Sequence, residues 1–549
     1  MSKIRRLSII ASGLSIITAA CVSAAAAPAA YGAPPPAQAS GVSGPLSQSD
    51  IDAVVARAMA AFSTTGVAVG IVKDGNVVLA KGYGVRQAGK PEQVDAHTVF
   101  QIGSNTKAFT AAALAILVDE GKIKWDDKVI DYLPDFRMYD AWVTREFTIR
   151  DLLTHRSGLG EGAGDLMFYP STNFTRSEII HGLRYIKPKS SFRAEYDYDN
   201  VLYITAGQVI PAVTGQSWED FIQARILSPL NMKECSPNYQ RIPDRTNVAS
   251  PHQIVQGKPS AIPVERLDTI GPAGTINCDV DGMNKWLEMQ LGEGKSPLGA
   301  EIFSPARTED MWSPVTPEPI NPPRAALTGS FFQAYGLGWE ISNEYGFKRV
   351  SHTGGVPGMT TWVAMIPQLH LGVVVLTNLD NGFAMEAIGN QIVDAYVGAP
   401  KRDWVDTVKE VTSATQSSAD AVTDKVAATL LSPSPPSLPL QAYAGQYSDP
   451  WRGGATVSLE GNHLRLKISR TDDLDGVLMP YSGDVFVVRW NRRGLNADAY
   501  VRFTPKFDGG IENMTLRPIS PATDTSFDFQ DLDFTKLDSV PGKEGDPAK

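Results

Sequence analysis

Three short stretches of the chain hold side chains that could act together on a carbonyl group. Ser104 and Lys107 stand three residues apart, Tyr198 and Asn200 two apart, and His352 is followed by Thr353, Gly354 and Gly355. A serine hydroxyl attacks a carbonyl once a base removes its proton. A lysine serves as that base if burial or neighbouring positive charge lowers its pKa from about 10.4. Ser104 and Lys107 open an apolar, helix-forming run from Ala108 to Glu120. Three-residue spacing at a helix start sets both side chains on one face, and the helix N-terminus adds backbone N–H groups suited to an oxyanion. Alone, the same spacing also fits a capping serine with a solvated lysine, so the other two stretches carry weight.

Tyr198 and Asn200 lie at the end of a polar-aromatic loop, Phe192 to Asn200, ahead of a second apolar run from Val201 to Val213. A phenol near a cationic lysine can ionise and share the base's work, and a carboxamide can hold both the lysine and a substrate carbonyl. The third stretch ends a β-rich segment. Its glycines let a substrate approach the backbone, and the Gly355 N–H is expected to complete an oxyanion hole with the N–H of Ser104.

The ordered trio Ser104-x-x-Lys107, Tyr198-x-Asn200 and His352-Thr353-Gly354 resembles the serine beta-lactamase and penicillin-binding-protein superfamily, and within it the class C beta-lactamase-like branch. Asp151 to Leu159, Gly271 to Thr275 and Tyr335 to Trp339 extend the likeness, which covers about residues 48–398. The resemblance implies an α+β fold: an antiparallel sheet flanked by helices, with an all-helical lobe. It also implies two-step acyl transfer. Ser104 attacks, Lys107 and Tyr198 share the proton transfers, Asn200, His352, Gly354 and Gly355 bind the substrate and its oxyanion, and water releases the acyl group. His155 belongs, by the same likeness, to a structural turn.

One position departs from the pattern. Family members acting on penicillins or on cell-wall peptides with a free carboxylate usually have lysine where this chain has His352, which gives a permanent charge. Histidine is mostly neutral at pH 7, which argues against beta-lactam substrates. The likeness extends in length and motif order to exported peptidases for D-residue or otherwise unusual peptides, including those that open linearised microcystin to a tetrapeptide. The expected function is therefore an exported serine peptidase acting on short linear peptides. A carboxylesterase is the alternative, and a penicillin-binding-like sensor that acylates without turnover is a second. No Gly-x-Ser-x-Gly elbow of an α/β-hydrolase occurs.

The elements that must position these residues follow from periodicity. Val67, Val69 and Ile71 alternate ahead of Lys73-Asp74-Gly75-Asn76, which predicts a hairpin over 66–84, preceded by a helix that Ser49 can cap. Residues 104 to about 310 read mostly as helix. Strand signals return from Tyr335 to Thr377, and a helix is expected over 384–396. Residues 399–437, rich in Ala, Ser and Thr and ending in Ser432-Pro433-Ser434-Pro435-Pro436, read as a semi-rigid spacer. About eight short strands over 438–536 predict a small antiparallel β-barrel, resembling the lipocalin-like domain of this branch and expected to restrict the cleft or build an oligomer interface.

Composition bounds the partners. The chain has 549 residues, 43% of them apolar and 20% charged, which suits large cores rather than disorder. Its net charge of -10 is spread without a basic block, so nucleic acid is not an expected partner. Lys3, Arg5 and Arg6 ahead of the apolar run Leu7 to Ala20 read as an export signal over 1–39, placing the protein in the periplasm or outside the cell. Cys21 is a conceivable lipid anchor, but Thr18 stands where that signal has an aliphatic residue. The two other cysteines, Cys235 and Cys278, allow one bridge, and the seven scattered histidines show no ligand spacing. No metal, cofactor or membrane span is expected; the partner is a small peptide or ester, and a homo-oligomer is allowed.

Overall fold

The computed structural model describes residues 45–537 apart from 266, 321 and 508. The expected export signal and Cys21 lie outside these described residues. The hairpin forms as its alternation predicts, with β1 (Gly66–Lys73) and β2 (Asn76–Gly84) joined through Asp74 and Gly75, whose φ angles are 52° and 71°. Positive φ at both central residues is what a two-residue turn between twisted strands requires.

The sheet resumes more than two hundred residues later with β3 (Thr316–Pro317), β4 (Gln333–Tyr335), β5 (Glu340–Glu344), β6 (Phe347–Val356), β7 (Met359–Ile366) and β8 (Leu371–Thr377). Its order is β2-β1-β8-β7-β6-β5-β4-β3, antiparallel throughout. Every residue of β7 and β8 is buried, so both faces of the sheet are covered.

Helix α1 (Gln48–Phe62) packs Ile51, Val55, Ala58 and Phe62 onto one face of the sheet. Its cap is Ser47 rather than Ser49: Ser47 accepts the Asp50 N–H while Asp50 returns a bond to the Ser47 N–H. That reciprocal box satisfies two amide groups at once, which a cap at Ser49 does not.

The inserted lobe is mostly helical, as its patterning predicts, with one small hairpin of His252–Val255 and Lys258–Ala261. Its centre is α2 (Thr106–Asp119), buried continuously from Thr106 to Leu117. A helix apolar all round must be interior, and the small alanines of this one let neighbours approach closely. Around it stand α3 (Asn200–Thr214) and α4 (Val280–Leu291), the latter stacking Trp286 on Phe109 with ring centroids 3.8 Å apart. Cys235 and Cys278 are joined by a disulfide. On the same face of the sheet as α1, α5 (Phe383–Val397) lies beside it.

The stretch read as a spacer is mostly a 27-residue helix, α6 (Trp404–Leu430). Asp403 caps it by accepting the Val405 and Asp406 N–H groups. Trp404, Val405 and Val408 enter the core shared by α1 and α5, while Val426 packs with Val487 and Ile519 of the C-terminal domain. The prolines that suggested an extended linker begin only after the helix ends. A closed antiparallel barrel of eight strands, β9 to β16 in chain order from Gly445–Asp449 to Asp533–Lys536, completes the chain. Among the described residues no helix is long and apolar enough to cross a membrane.

Strand β6 passes the turn ahead of α2 at close range. A Cβ on Gly354 would lie 2.0 Å from the Ile102 carbonyl oxygen, and one on Gly103 (φ 53°) would lie 2.6 Å from the Gly355 nitrogen. The expected outcome of Gly354→Ala is a stability loss of about 1–3 kcal/mol, read as a lowered thermal midpoint, together with weakened Ser104 reactivity. An unchanged midpoint and reactivity would mean that the two segments do not depend on this approach.

Candidate active site

Ser104 occupies a single 3-10 turn, Gly103–Asn105, that runs straight into α2. The turn is held by Thr361 of β7, whose hydroxyl donates to the Ile102 carbonyl (2.8 Å) and accepts from the Asn105 amide (2.8 Å). Lys107, in the first turn of the helix, is fully buried. Its Nζ lies 2.9 Å from Ser104 Oγ, 2.7 Å from Asn200 Oδ1 and 3.1 Å from the Ala273 carbonyl oxygen. Removal from water lowers its pKa to about 7.

These partners fix the direction of the hydrogen bonds. Two are oxygens that only accept, so a neutral Lys107 spends its two N–H groups on Asn200 and Ala273. Its lone pair is left for the Ser104 O–H. Ser104 then donates to the amine, which is the arrangement of a nucleophile with its base.

The Tyr198 hydroxyl faces Ser104, and burial raises this phenol well above its ordinary value. Lys107 sits over the ring face, with Nζ 4.6 Å from the centroid, rather than beside the phenol oxygen. The expectation of an ionised phenol sharing the base's work is therefore corrected. Desolvation is the foremost cause of the raised phenol pKa, and the proton stays on Tyr198.

His155 does what the turn reading implied. It is fully buried with φ 52°, and its Nδ1 accepts the Asp199 N–H at 3.0 Å, holding the loop that carries Tyr198 and Asn200. Burial foremost, helped by the nearby Lys107, drives its pKa well down, so the ring is neutral.

The structure brings Ser104, Asn200 and Gly355 together around one cavity of about 370 Å³, with Lys107 and Tyr198 directly behind Ser104. His352 is placed elsewhere. It is 2% exposed and turned inward, with Nδ1 2.6 Å from the Thr353 carbonyl oxygen and Nε2 2.8 Å from the Tyr335 hydroxyl. Nδ1 therefore carries the hydrogen, and Tyr335 donates to Nε2. Burial, helped by the Lys107 charge, lowers its pKa to about 3. The expected substrate-binding role of His352 is corrected on this geometry: the imidazole is neutral and faces the protein. Gly354 is buried beneath Gly355 and serves the close approach to the nucleophile turn.

Sequence reasoning missed four groups: the Ala273 carbonyl, the Tyr335 hydroxyl, Asp165 and Ser526. Ala273 and Tyr335 sit within stretches singled out for resemblance, but nothing in their types marks a carbonyl or a phenol as a partner of Lys107 or His352. Asp165 accepts the Asn200 Nδ2–H at 2.7 Å and the Ser526 O–H at 2.9 Å. Ser526 belongs to the C-terminal domain, which also supplies Gly494, Leu495, Asn496, Ala522 and Asp524 to the cavity wall.

Comparison with known proteins places this site in a family. A family model described as Beta-lactamase matches residues 51–396, most of the chain. The chain belongs to the beta-lactamase family. Residues 432–536 match a second model, described as a Domain of unknown function (DUF3471). Among curated relatives, the Unguisins hydrolase ungD' of Aspergillus campestris (strain IBT 28561) is 29% identical over 491 residues, covering 85% of this chain and 88% of the relative. Among solved structures, the octameric penicillin-binding protein homologue from Pyrococcus abyssi aligns with a TM-score of 0.57 at 22% identity, over 89% of this chain and all of that one. The D-amino acid amidase from Ochrobactrum anthropi SV3 aligns with a TM-score of 0.52 at 20% identity, over 63% of this chain and 98% of that one. These two likenesses are of fold.

Because the base must be neutral, acylation of Ser104 should depend on pH in one direction. The second-order rate should be flat above pH about 7 and fall roughly tenfold per unit below it, as Lys107 takes up a proton. Stopped-flow labelling of Ser104 across pH 5–9 checks this, and a midpoint near the ordinary lysine value would contradict it.

Proposed function

We propose that the protein is an exported serine peptidase that opens amide bonds in short linear peptides, D-residue-containing ones among them, through an acyl-enzyme. The observation that carries this reading is the buried Lys107 Nζ, 2.9 Å from Ser104 Oγ and held by the Asn200 and Ala273 oxygens, with the Tyr198 phenol beside the same serine. Lys107 accepts the Ser104 proton as Oγ bonds to the substrate carbonyl carbon, and the N–H groups of Ser104 and Gly355 receive the oxyanion. An amine leaves only when protonated. Tyr198 gives its proton to the departing nitrogen and is restored by the proton held on Lys107. Water then adds to the acyl-enzyme, with Lys107 again as base, and Ser104 is released. An alkoxide leaves with less help, so a phenol kept protonated by burial favours amides over esters.

Three further features support the reading. A neutral, inward-turned His352 supplies no charge for a substrate carboxylate, unlike the lysine of relatives that act on beta-lactams. The curated relative given above is named a hydrolase. The Cys235–Cys278 bridge fits an oxidising compartment, in keeping with export to the periplasm or beyond. The cavity would admit a few residues of a peptide, and linearised microcystin is one substrate to test.

Intact-mass analysis with a serine-directed phosphonate, beside panels of linear peptides and short-chain esters, tests the proposal. A single adduct on the wild type and none on Ser104→Ala is expected, and Lys107→Ala should lower peptide turnover by about 10²–10⁴. Faster ester than peptide turnover would favour the carboxylesterase. A stable adduct with any substrate and no turnover would favour the sensor.

A further inference from the structure

We infer that Asp165, anchored by Ser526 of the C-terminal barrel domain, is a positioning residue of the active site: it fixes the Asn200 carboxamide so that its oxygen faces Lys107. The inference rests on the Ser104–Lys107 reading above and extends the site across the domain boundary.

The geometry is a continuous chain of hydrogen bonds. Ser526 Oγ lies 2.9 Å from Asp165 Oδ2, the same oxygen accepts Asn200 Nδ2 at 2.7 Å, Asn200 Oδ1 lies 2.7 Å from Lys107 Nζ, and Nζ lies 2.9 Å from Ser104 Oγ. A carboxamide has a donor end and an acceptor end of nearly equal shape, so a partner must choose between its two orientations. In the observed one, Asn200 takes an N–H from Lys107 and leaves the amine lone pair to the serine. In the flipped one, Asn200 Nδ2 would compete for that lone pair or oppose the ammonium, and Ser104 would lose its base. The Asp165 oxygen selects the first.

Asp165 is itself held from both domains. It is fully buried on a short turn, Asp165–Met167, whose Gly164 and Leu166 N–H groups donate to Asp528 of the barrel domain at 2.6 and 3.1 Å. A Cβ on Gly162 would lie 2.3 Å from the Thr525 carbonyl oxygen, so the segment 524–528 is laid directly against the 162–166 loop. Asp165 Oδ1 has no hydrogen-bond partner among the described residues, which leaves it free to carry a proton.

The charged and titratable groups facing Asp165 are Lys107 from α2, Tyr198 and Asp199 from the loop before α3, and Asp524 and Asp528 from the barrel domain. Burial raises its pKa to about 7, opposed by the bonds from Asn200 and Ser526 and by the Lys107 charge. Asp165 and Lys107 thus bind a proton over the same pH range. An ionised Asp165 in turn raises the proton affinity of Lys107. The carboxylate therefore does two separable things: it orients Asn200 and it sets the pH at which the base becomes free.

Three variants separate these roles, with rates expressed per site titrated by the phosphonate. Asp165→Asn keeps an acceptor for Asn200 but removes the charge. It should hold most of the plateau rate and move the acid limb of the pH profile to lower pH. Asp165→Ala removes the acceptor, and its plateau kcat should fall by up to about 10²-fold with a much smaller change in KM. Ser526→Ala, on the partly exposed barrel segment, withdraws one donor from the carboxylate and favours its protonated form. A smaller shift of the acid limb in the Asp165→Asn direction is expected. A wild-type adduct at Ser104 combined with unchanged pH profiles and per-site rates in Asp165→Asn and Ser526→Ala would overturn the inference and leave Asp165 a purely structural residue. Absence of a wild-type adduct would instead overturn the proposed function itself.

Discussion

The molecule is arranged around the burial of one lysine. An ammonium without water is strongly disfavoured, and the protein meets that constraint with two accepting oxygens and one hydroxyl rather than with a paired carboxylate in contact. A direct salt bridge would have kept Lys107 charged. Placing Asp165 beyond the Asn200 carboxamide supplies attraction at one remove, enough to keep the group titrating near neutrality. Each surrounding element answers to that requirement. The all-round apolar α2 seals the lysine stem, the 271–274 turn presents the Ala273 carbonyl, and the Gly338 bend passes so near that a Cβ there would meet the Lys107 carbonyl oxygen at 3.0 Å.

The C-terminal barrel shares in this arrangement. Its residues form part of the cavity wall, and Ser526 and Asp528 reach the loop that carries Asp165. The connection between domains is correspondingly firm. Helix α6 is rooted in the catalytic core through Trp404, whose indole N–H donates to Asp394 at 2.6 Å, and rests on the barrel through Val426. Arg470 and Arg492 add ion pairs to Glu178 and Glu265 across the same boundary. The partly exposed Arg470–Glu178 pair contributes little stability, so the partly buried Arg492–Glu265 pair and the buried Phe527, Asp528 and Phe529 hold the register.

Much of this was legible in the sequence because periodicity and turn chemistry are local. The Asp74-Gly75 hairpin, the alternating barrel strands and the alanine-rich central helix each announce themselves within a dozen residues. The three-residue spacing sets Ser104 and Lys107 on one face, and the other two motifs distinguish the pair from a capping serine with a solvated lysine. What was not legible depends on long-range packing. Whether Tyr198 ionises is decided by desolvation, which no spacing reports. His352 turns inward because Tyr335, on a neighbouring part of the sheet, offers a hydroxyl. The 404–430 helix was hidden because its composition is poor in large apolar residues and its stability comes from docking at both ends. Asp165 and Ser526 are 361 residues apart, and a lone aspartate among glycines carries no pattern.

The chemistry proposed for this site turns on the protonation state of one nitrogen. Nuclear magnetic resonance of protein labelled with nitrogen-15 at the lysine side chains, with Lys107→Arg used for assignment, follows that nitrogen directly. A titration midpoint near pH 7 is expected for Lys107, well separated from the other lysines. A midpoint at about 10, the ordinary value for a solvated lysine, would contradict it.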